Sequence, residues 1–185
     1  MRKTFPYGHR TMALALMVTA AASPAGAQAY EDVVTGLRVN PPAPLTVEAI
    51  QNINFAGAVG IRSPAGSPQP APGNPYLCQI GYAPSPSELT QDEINADTLD
   101  PQALAALDGS LSAEFSSHEA ATFTVGGVSA FEVFATPKDQ PDNRLYTTLF
   151  QTPKGLVQQH CTTTAADADA ALVLFRAIRD TVVPP

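Results

Sequence analysis

The sequence predicts an α+β domain: an antiparallel β-sheet of about four to six strands, a meander in its C-terminal half, packed against amphipathic helices. Three observations predict it. From Arg144 to Val183, two β-patterned runs meet at Thr152-Pro153-Lys154-Gly155 and lead into an amphipathic segment. From Ala121 to Ala135, two β-rich runs flank Gly126-Gly127, a pair that adopts the positive φ angles of a tight hairpin. Asp100-Pro101 supplies a preferred N-cap and a first-turn proline, after which Leu104, Leu107, Leu111 and Phe115 recur at helical spacing.

The first 29 residues have the three parts of a cleavable secretory signal peptide. Arg2, Lys3 and Arg10 supply the positive end, Met12 to Ala22 the apolar run, and Ala27-Gln28-Ala29 a small-residue cleavage pattern before Tyr30. The apolar run is about half of what a stable membrane-spanning helix needs. No cysteine follows the expected cleavage site, which argues against a lipid-anchored product. The expected mature chain is exported, periplasmic or secreted from a Gram-negative-type envelope, without stable membrane insertion. It retains 156 of the 185 residues, enough for one core.

All three basic residues of the signal leave with it. Seven Lys and Arg then face seventeen Asp and Glu, a net charge of about −10. Such an acidic surface opposes phosphate backbones and anionic lipid heads, so nucleic acid is excluded as a partner. Cys78 and Cys161 are the only cysteines. Export permits a disulfide, which across this separation would stabilise by about 4 to 5 kcal/mol in the chain-entropy model. Two small buried thiols in adjacent strands are the alternative.

Residues 30–75 read as a Pro-rich N-terminal arm and loop, and residues 76–185 as the α+β domain. Pro41-Pro42-Ala43-Pro44 sets an extended path. Thr46 is placed to cap a short helical piece through Asn52, and Phe55 to Arg62 reads as a strand or a close-packed turn. Ser63 to Pro75 holds five prolines and two glycines in thirteen positions, which leaves no regular ladder or helix. It reads as a surface loop or a preformed recognition segment.

Tyr76, Cys78, Ile80 and Tyr82 alternate on one side of a half-buried strand that Pro84 and Pro86 end. Thr90 and Glu93 match a capping box for a helical turn over Leu89 to Ala96. The helix opened by Asp100 should lay Leu104, Leu107, Leu111 and Phe115 on the sheet and end near Ser116 or Ser117. In the C-terminal hairpin, Tyr146, Thr148 and Phe150 oppose Leu145, Thr147 and Leu149. Val157, Gln159 and Cys161 likewise oppose Leu156, Gln158 and His160. Ala168, Ala171, Leu172, Phe175, Ile178 and Val182 form the buried face of the closing helix.

No catalytic motif emerges. His160 and Cys161 are strand neighbours, so they project to opposite faces and cannot readily share a site. Ser129 lacks the glycine that follows the serine of a nucleophile elbow. His118-Glu119 reads as an exposed polar pair at a helix exit. No ligand spacing supports a metal, and no phosphate loop, haem-attachment motif or Cys-x-x-Cys pair implies a cofactor. The candidate binding residues are Arg144, Lys154, His118 and His160.

The hairpin Phe123-Thr124-Val125-Gly126-Gly127-Val128-Ser129-Ala130-Phe131-Glu132-Val133 and the stretch from Arg144 through Val182 resemble the PsbP-like α/β/α sandwich family. The resemblance implies an antiparallel sheet with helices packed on it and a non-catalytic accessory or binding role. The expected function is an exported accessory protein that binds an envelope protein or a small ligand. The alternative is a small periplasmic hydrolase or other enzyme with a site assembled from His118, Glu119 and His160.

Overall fold

The computed structural model describes residues 29–185, so the expected signal sequence up to Gln28 lies outside the described residues. Each β-rich run becomes a strand because its alternation gives one side to a core. β6 (Phe115–Val125) and β7 (Val128–Pro137) turn at Gly126-Gly127, whose φ values of 58° and 81° suit glycine. β8 (Asn143–Thr152) and β9 (Gly155–Thr164) turn through Pro153 and Lys154.

The main sheet is larger than expected, with seven antiparallel strands. β3 (Thr46–Ala49), β4 (Gly57–Arg62) and β5 (Cys78–Pro84) precede the four-strand meander, in the spatial order β3-β4-β5-β9-β8-β7-β6. β1 (Tyr30–Glu31) and β2 (Arg38–Val39) form a separate two-stranded ribbon. Thr46 therefore starts an edge strand rather than capping a helix, because Val47 pairs with Ile61 and joins the core. The segment 30–75 is likewise more than an arm. Leu37, Val39, Leu45, Val47, Val59 and Ile61 are core residues, and hydrogen bonding between β4 and β5 crosses the boundary expected at residue 75. The Pro-rich stretch from Ser63 is the loop between those two strands.

The two halves of the chain meet where β5 pairs with β9. Cys78 lies directly opposite Cys161, and the two form a disulfide. On the same face stand Ile80, Tyr82, Val157, Tyr146 and Phe150, all buried. α3 (Ala168–Arg179) covers this face with Ala171, Phe175 and Ile178. The Phe175 ring stacks on Tyr146 at 5.6 Å.

An ionic knot fastens α3 at its C-terminal end. Glu132, on the covered face of β7, receives Arg176 at 2.8 Å, Arg179 at 2.7 Å and the Tyr146 hydroxyl at 2.8 Å. The Arg179 guanidinium also lies 4.2 Å from the centre of the Phe123 ring. Burial alone would raise the Glu132 pKa. The hydrogen bonds from Arg176 and Tyr146 and the charges of both arginines outweigh it and leave the pKa lowered.

The opposite face carries α1 (Gln91–Leu99) and α2 (Pro101–Leu111). The Thr90–Glu93 capping box forms as expected, and Asp100 ends α1 and caps α2. α2 differs from expectation. It packs against β6, yet none of its residues is fully buried, and Phe115 belongs to the strand rather than to the helix face. The sheet between two helical layers makes an α/β/α arrangement.

Because Glu132 binds its proton less tightly in the folded chain than in the unfolded one, its contribution is present above the ordinary carboxylate pKa. It is lost as pH falls through the lowered folded value. Glu132→Gln should therefore cost about 2–4 kcal/mol at neutral pH, from lost charged hydrogen bonds and two arginines left without their partner. Denaturant unfolding at pH 7 and at pH 3 should show the gap between wild type and variant narrowing in acid. An equal gap at both pH values would count against this role.

Candidate functional site

Between α1 and the loop that precedes β4, the middle of the second face stays uncovered. The register defines what lies there. His160 on β9 faces Gln79 on β5 and Thr147 on β8, and Gln158 faces Gly81 and Leu149. Gly81 has a specific reason to be glycine. The Phe55 ring lies against it so closely that a Cβ would meet ring carbons at 2.3 and 2.4 Å. Gly60 is covered in the same way by Tyr76, over which Arg62 stacks while pairing with Glu48.

The resulting trough holds two adjoining cavities that share His160. One, of about 470 Å³, is lined by Asn52, Asn54, Phe55, Gln79, Ala83, Leu156, Gln158 and His160. The second, of about 280 Å³, runs from His160 and Thr162 past Leu145 to Arg144, with Ala71 and Asn74 of the Pro-rich loop on its wall. Among the described residues, no charged side chain lines the larger cavity. Among the described residues, nothing hydrogen-bonds the imidazole of His160 or the side-chain amides of Gln79 and Gln158. The protein mass around His160 lowers its pKa by desolvation although solvent reaches the ring, so the imidazole is neutral near pH 7. A neutral imidazole both donates and accepts, as do the amides beside it.

The other candidates have separate roles. His118 stands on β6 rather than at a helix exit, and its Nε2 lies 2.9 Å from Asp108, tying α2 to the sheet. Arg144 donates from Nη1 to the carbonyls of Pro141 and Asn143, which steadies the β7–β8 loop at the rim of the second cavity. Lys154 is exposed in its turn, and its carbonyl accepts from Tyr82 Oη and Ser85 N. The residues of the enzyme alternative are only partly assembled: His118 and Glu119 line a small cavity of about 210 Å³ with Arg144, and His160 is not part of it. His118 and His160 are three strands apart, about 14 Å at ordinary strand spacing, and Glu119 projects from the face opposite to His118. Cys161 stands on the covered face and His160 on the open one.

Phe55, Gln79 and Gln158 were not singled out from the sequence. Gln158 was legible as a companion of His160 through strand alternation. Only the β5–β9 register brings Gln79 beside it, and only the Phe55 ring on Gly81 closes the end of the cavity.

No protein-family model and no curated protein matches this chain by sequence. In three dimensions the chain is similar to the solution structure of the cyanobacterial PsbP protein of Synechocystis sp. PCC 6803. That match has a TM-score of 0.52 and 12% identity over 92% of this chain and 99% of that one. The chain has a PsbP-like fold. It is also similar to LpqN, described as involved in cell envelope biogenesis of Mycobacterium tuberculosis, with a TM-score of 0.50 and 13% identity over 80% of this chain and 83% of that one. At these identities the likeness concerns the backbone. The PsbP-like fold thus supplies the sheet and helical layers, and this chain's own side chains supply the trough.

Gly81→Ala should open the trough, because the new methyl must displace the Phe55 ring. We expect a loss of about 1–3 kcal/mol of stability, the usual cost of overpacking. The Phe55 resonances should lose their cross-relaxation to Gly81 and move toward solvent-exposed shifts. Unchanged stability and an unmoved ring would refute this packing.

Proposed function

We propose that this protein is an exported accessory protein that binds an uncharged small ligand in the trough around His160. The observation that carries this reading is the convergence of unpartnered neutral donors and acceptors, Gln79, Gln158 and His160, beside the Phe55 ring in a cavity without charge. Such a lining suits a ligand that has amide or hydroxyl groups and an apolar portion, because each unpaired polar group it meets gains a hydrogen bond. A charged ligand would lose hydration there without gaining a counter-charge.

Several further features support the exported setting. Residues 1–29 read as a signal, which supports a mature protein in the periplasm or outside the cell. The Cys78–Cys161 disulfide suits an oxidising compartment. No helix among the described residues is long and apolar enough to cross a membrane. The envelope role of the structurally similar LpqN is consistent with a periplasmic binding or accessory task. The ligand site is one half of the expected partner range, an envelope protein being the other, and the trough favours the small ligand.

Screening the mature chain by NMR with uncharged amide and polyol fragments should produce shift changes concentrated at Phe55, Gln79, Gln158 and His160. Phe55→Ala and His160→Ala should each weaken a bound fragment about tenfold, equivalent to about 1.4 kcal/mol. Binding should be level from pH 7 to 8 and weaken in acid as the imidazole gains a proton it binds poorly in the folded state. Shifts that map elsewhere, or affinity indifferent to both substitutions, would overturn the assignment.

A further inference from the structure

The seven-stranded sheet ends in two unlike edges. β3 is four residues long, carries Glu48 and is preceded by Pro41, Pro42 and Pro44. A short, charged edge of that kind resists pairing with another chain. β6, at the opposite edge, is eleven residues long and has β7 as its only strand partner among the described residues. The two-residue turn makes Val125 and Val128 a bonded pair, so alternation along β6 turns the backbone groups of His118, Ala120, Thr122 and Thr124 away from β7. No described residue bonds to those groups. From Ser116 to Val125 there is no proline, no lysine and only one carboxylate, Glu119. The guards of this edge are few: Glu119 and one irregularity between Phe115 and Ser117, which leaves the ladder from Ser117 to Val125 regular.

A second observation lies beside the first. α2 carries Leu104, Leu107 and Leu111 at helical spacing, but these side chains are only partly covered, and Ala105 and Ala106 are exposed. The chain thus leaves an incompletely covered apolar helix next to an unpaired strand.

We propose that β6 pairs antiparallel with β6 of a second copy of this chain, joining the two sheets into one and bringing the two α2 helices together. A second copy fits because the edge is complementary to itself. Facing residues across a two-fold axis normal to the sheet must share a face, so the pairing centres on one residue. Centring on Ala120 would leave the two Glu119 side chains about 7 Å apart along the strands, inside the screening length at physiological salt. Centring on Ala121 separates them to about 13 Å, beyond it. Moving further toward the turn shortens the ladder. The Ala121 register opposes small side chains at the axis, and it bonds Ala120 of one copy with Thr122 of the other and His118 with Thr124. In a chain with a net charge of −7, a strand with a single carboxylate is also where two copies meet with little repulsion.

The test is sedimentation equilibrium of the chain from Tyr30 onward, oxidised, up to several hundred micromolar. Twice the monomer mass is expected for the wild type. Ala120→Pro removes an outward N–H without touching the β6–β7 ladder, and Thr122→Lys places a charge on the edge. Both should sediment as monomers with wild-type circular dichroism, and the lysine variant decides the matter if the proline variant fails to fold. Ala121→Cys supplies a lone thiol at the axis and should form a covalent dimer under mild oxidation. A wild type that stays monomeric, a dimer that survives Thr122→Lys, or an Ala121→Cys variant that does not cross-link would overturn the proposal.

Discussion

Pairing between β5 and β9 is the interaction on which this architecture depends. The chain supplies β3, β4 and β5 from its N-terminal half and the β6–β9 meander from its C-terminal half. Within the main sheet, among the described residues, the β5–β9 ladder from Cys78↔Cys161 to Pro84↔Gly155 is what joins them, with a single bridge between Arg38 and Val183 outside it. Since side chains alternate, a slip of one residue would carry Ile80 and Tyr82 out of the core and Gln79 into it. The disulfide stands at the one register that sets the two cysteines directly opposite each other on the covered face. The same register puts Gln79 beside His160 on the open face, so the core and the candidate site are two consequences of a single alignment.

The two faces of the sheet are finished differently. One is closed by α3, whose apolar side chains meet Tyr146 and Phe150 and whose arginines converge on Glu132. That knot joins β7, β8 and the last helix through one carboxylate. The other face is covered only in part, by α1 and α2 toward β6 and by Phe55 and Tyr76 lying on glycines toward β3. The uncovered centre presents polar groups that the chain itself leaves unpaired. A buried donor without a partner costs free energy, whereas one at the floor of a trough can exchange water for a ligand. This asymmetry gives one face structural work and leaves the other open, where the proposed ligand site lies.

Much of this was legible in the residues. Gly-Gly and Pro-Lys turns, the Thr90–Glu93 capping box, Asp100-Pro101 and the Ala171–Phe175–Ile178 stripe are local signals, and each produced the expected element. Alternation also separated His160 from Cys161 correctly. What failed was non-local. Thr46-Val47-Glu48-Ala49 has little strand character of its own and becomes one because β4 offers a partner and the core offers Val47 a place. The leucines of α2 promised a buried face, but the helix sits at the sheet margin, where β6 covers it only in part. The candidate site was half visible: His160 and Gln158 share a strand face, while Phe55 and Gln79 arrive through tertiary packing and register. Glu132 stood on the core side of its strand by alternation, a signal strong enough to have marked it for an ionic partner.

The central claim is that the N-terminal strands and the C-terminal meander form one cooperative sheet through β5 and β9. Native-state hydrogen exchange of the oxidised protein, followed amide by amide in low denaturant, tests it most directly. If the account is right, the slowest amides of β4, β5, β9 and β8 will converge on one opening free energy and share one dependence on denaturant. Amides of β4 and β5 that open in a separate, cheaper step while β8 and β9 remain protected would contradict it.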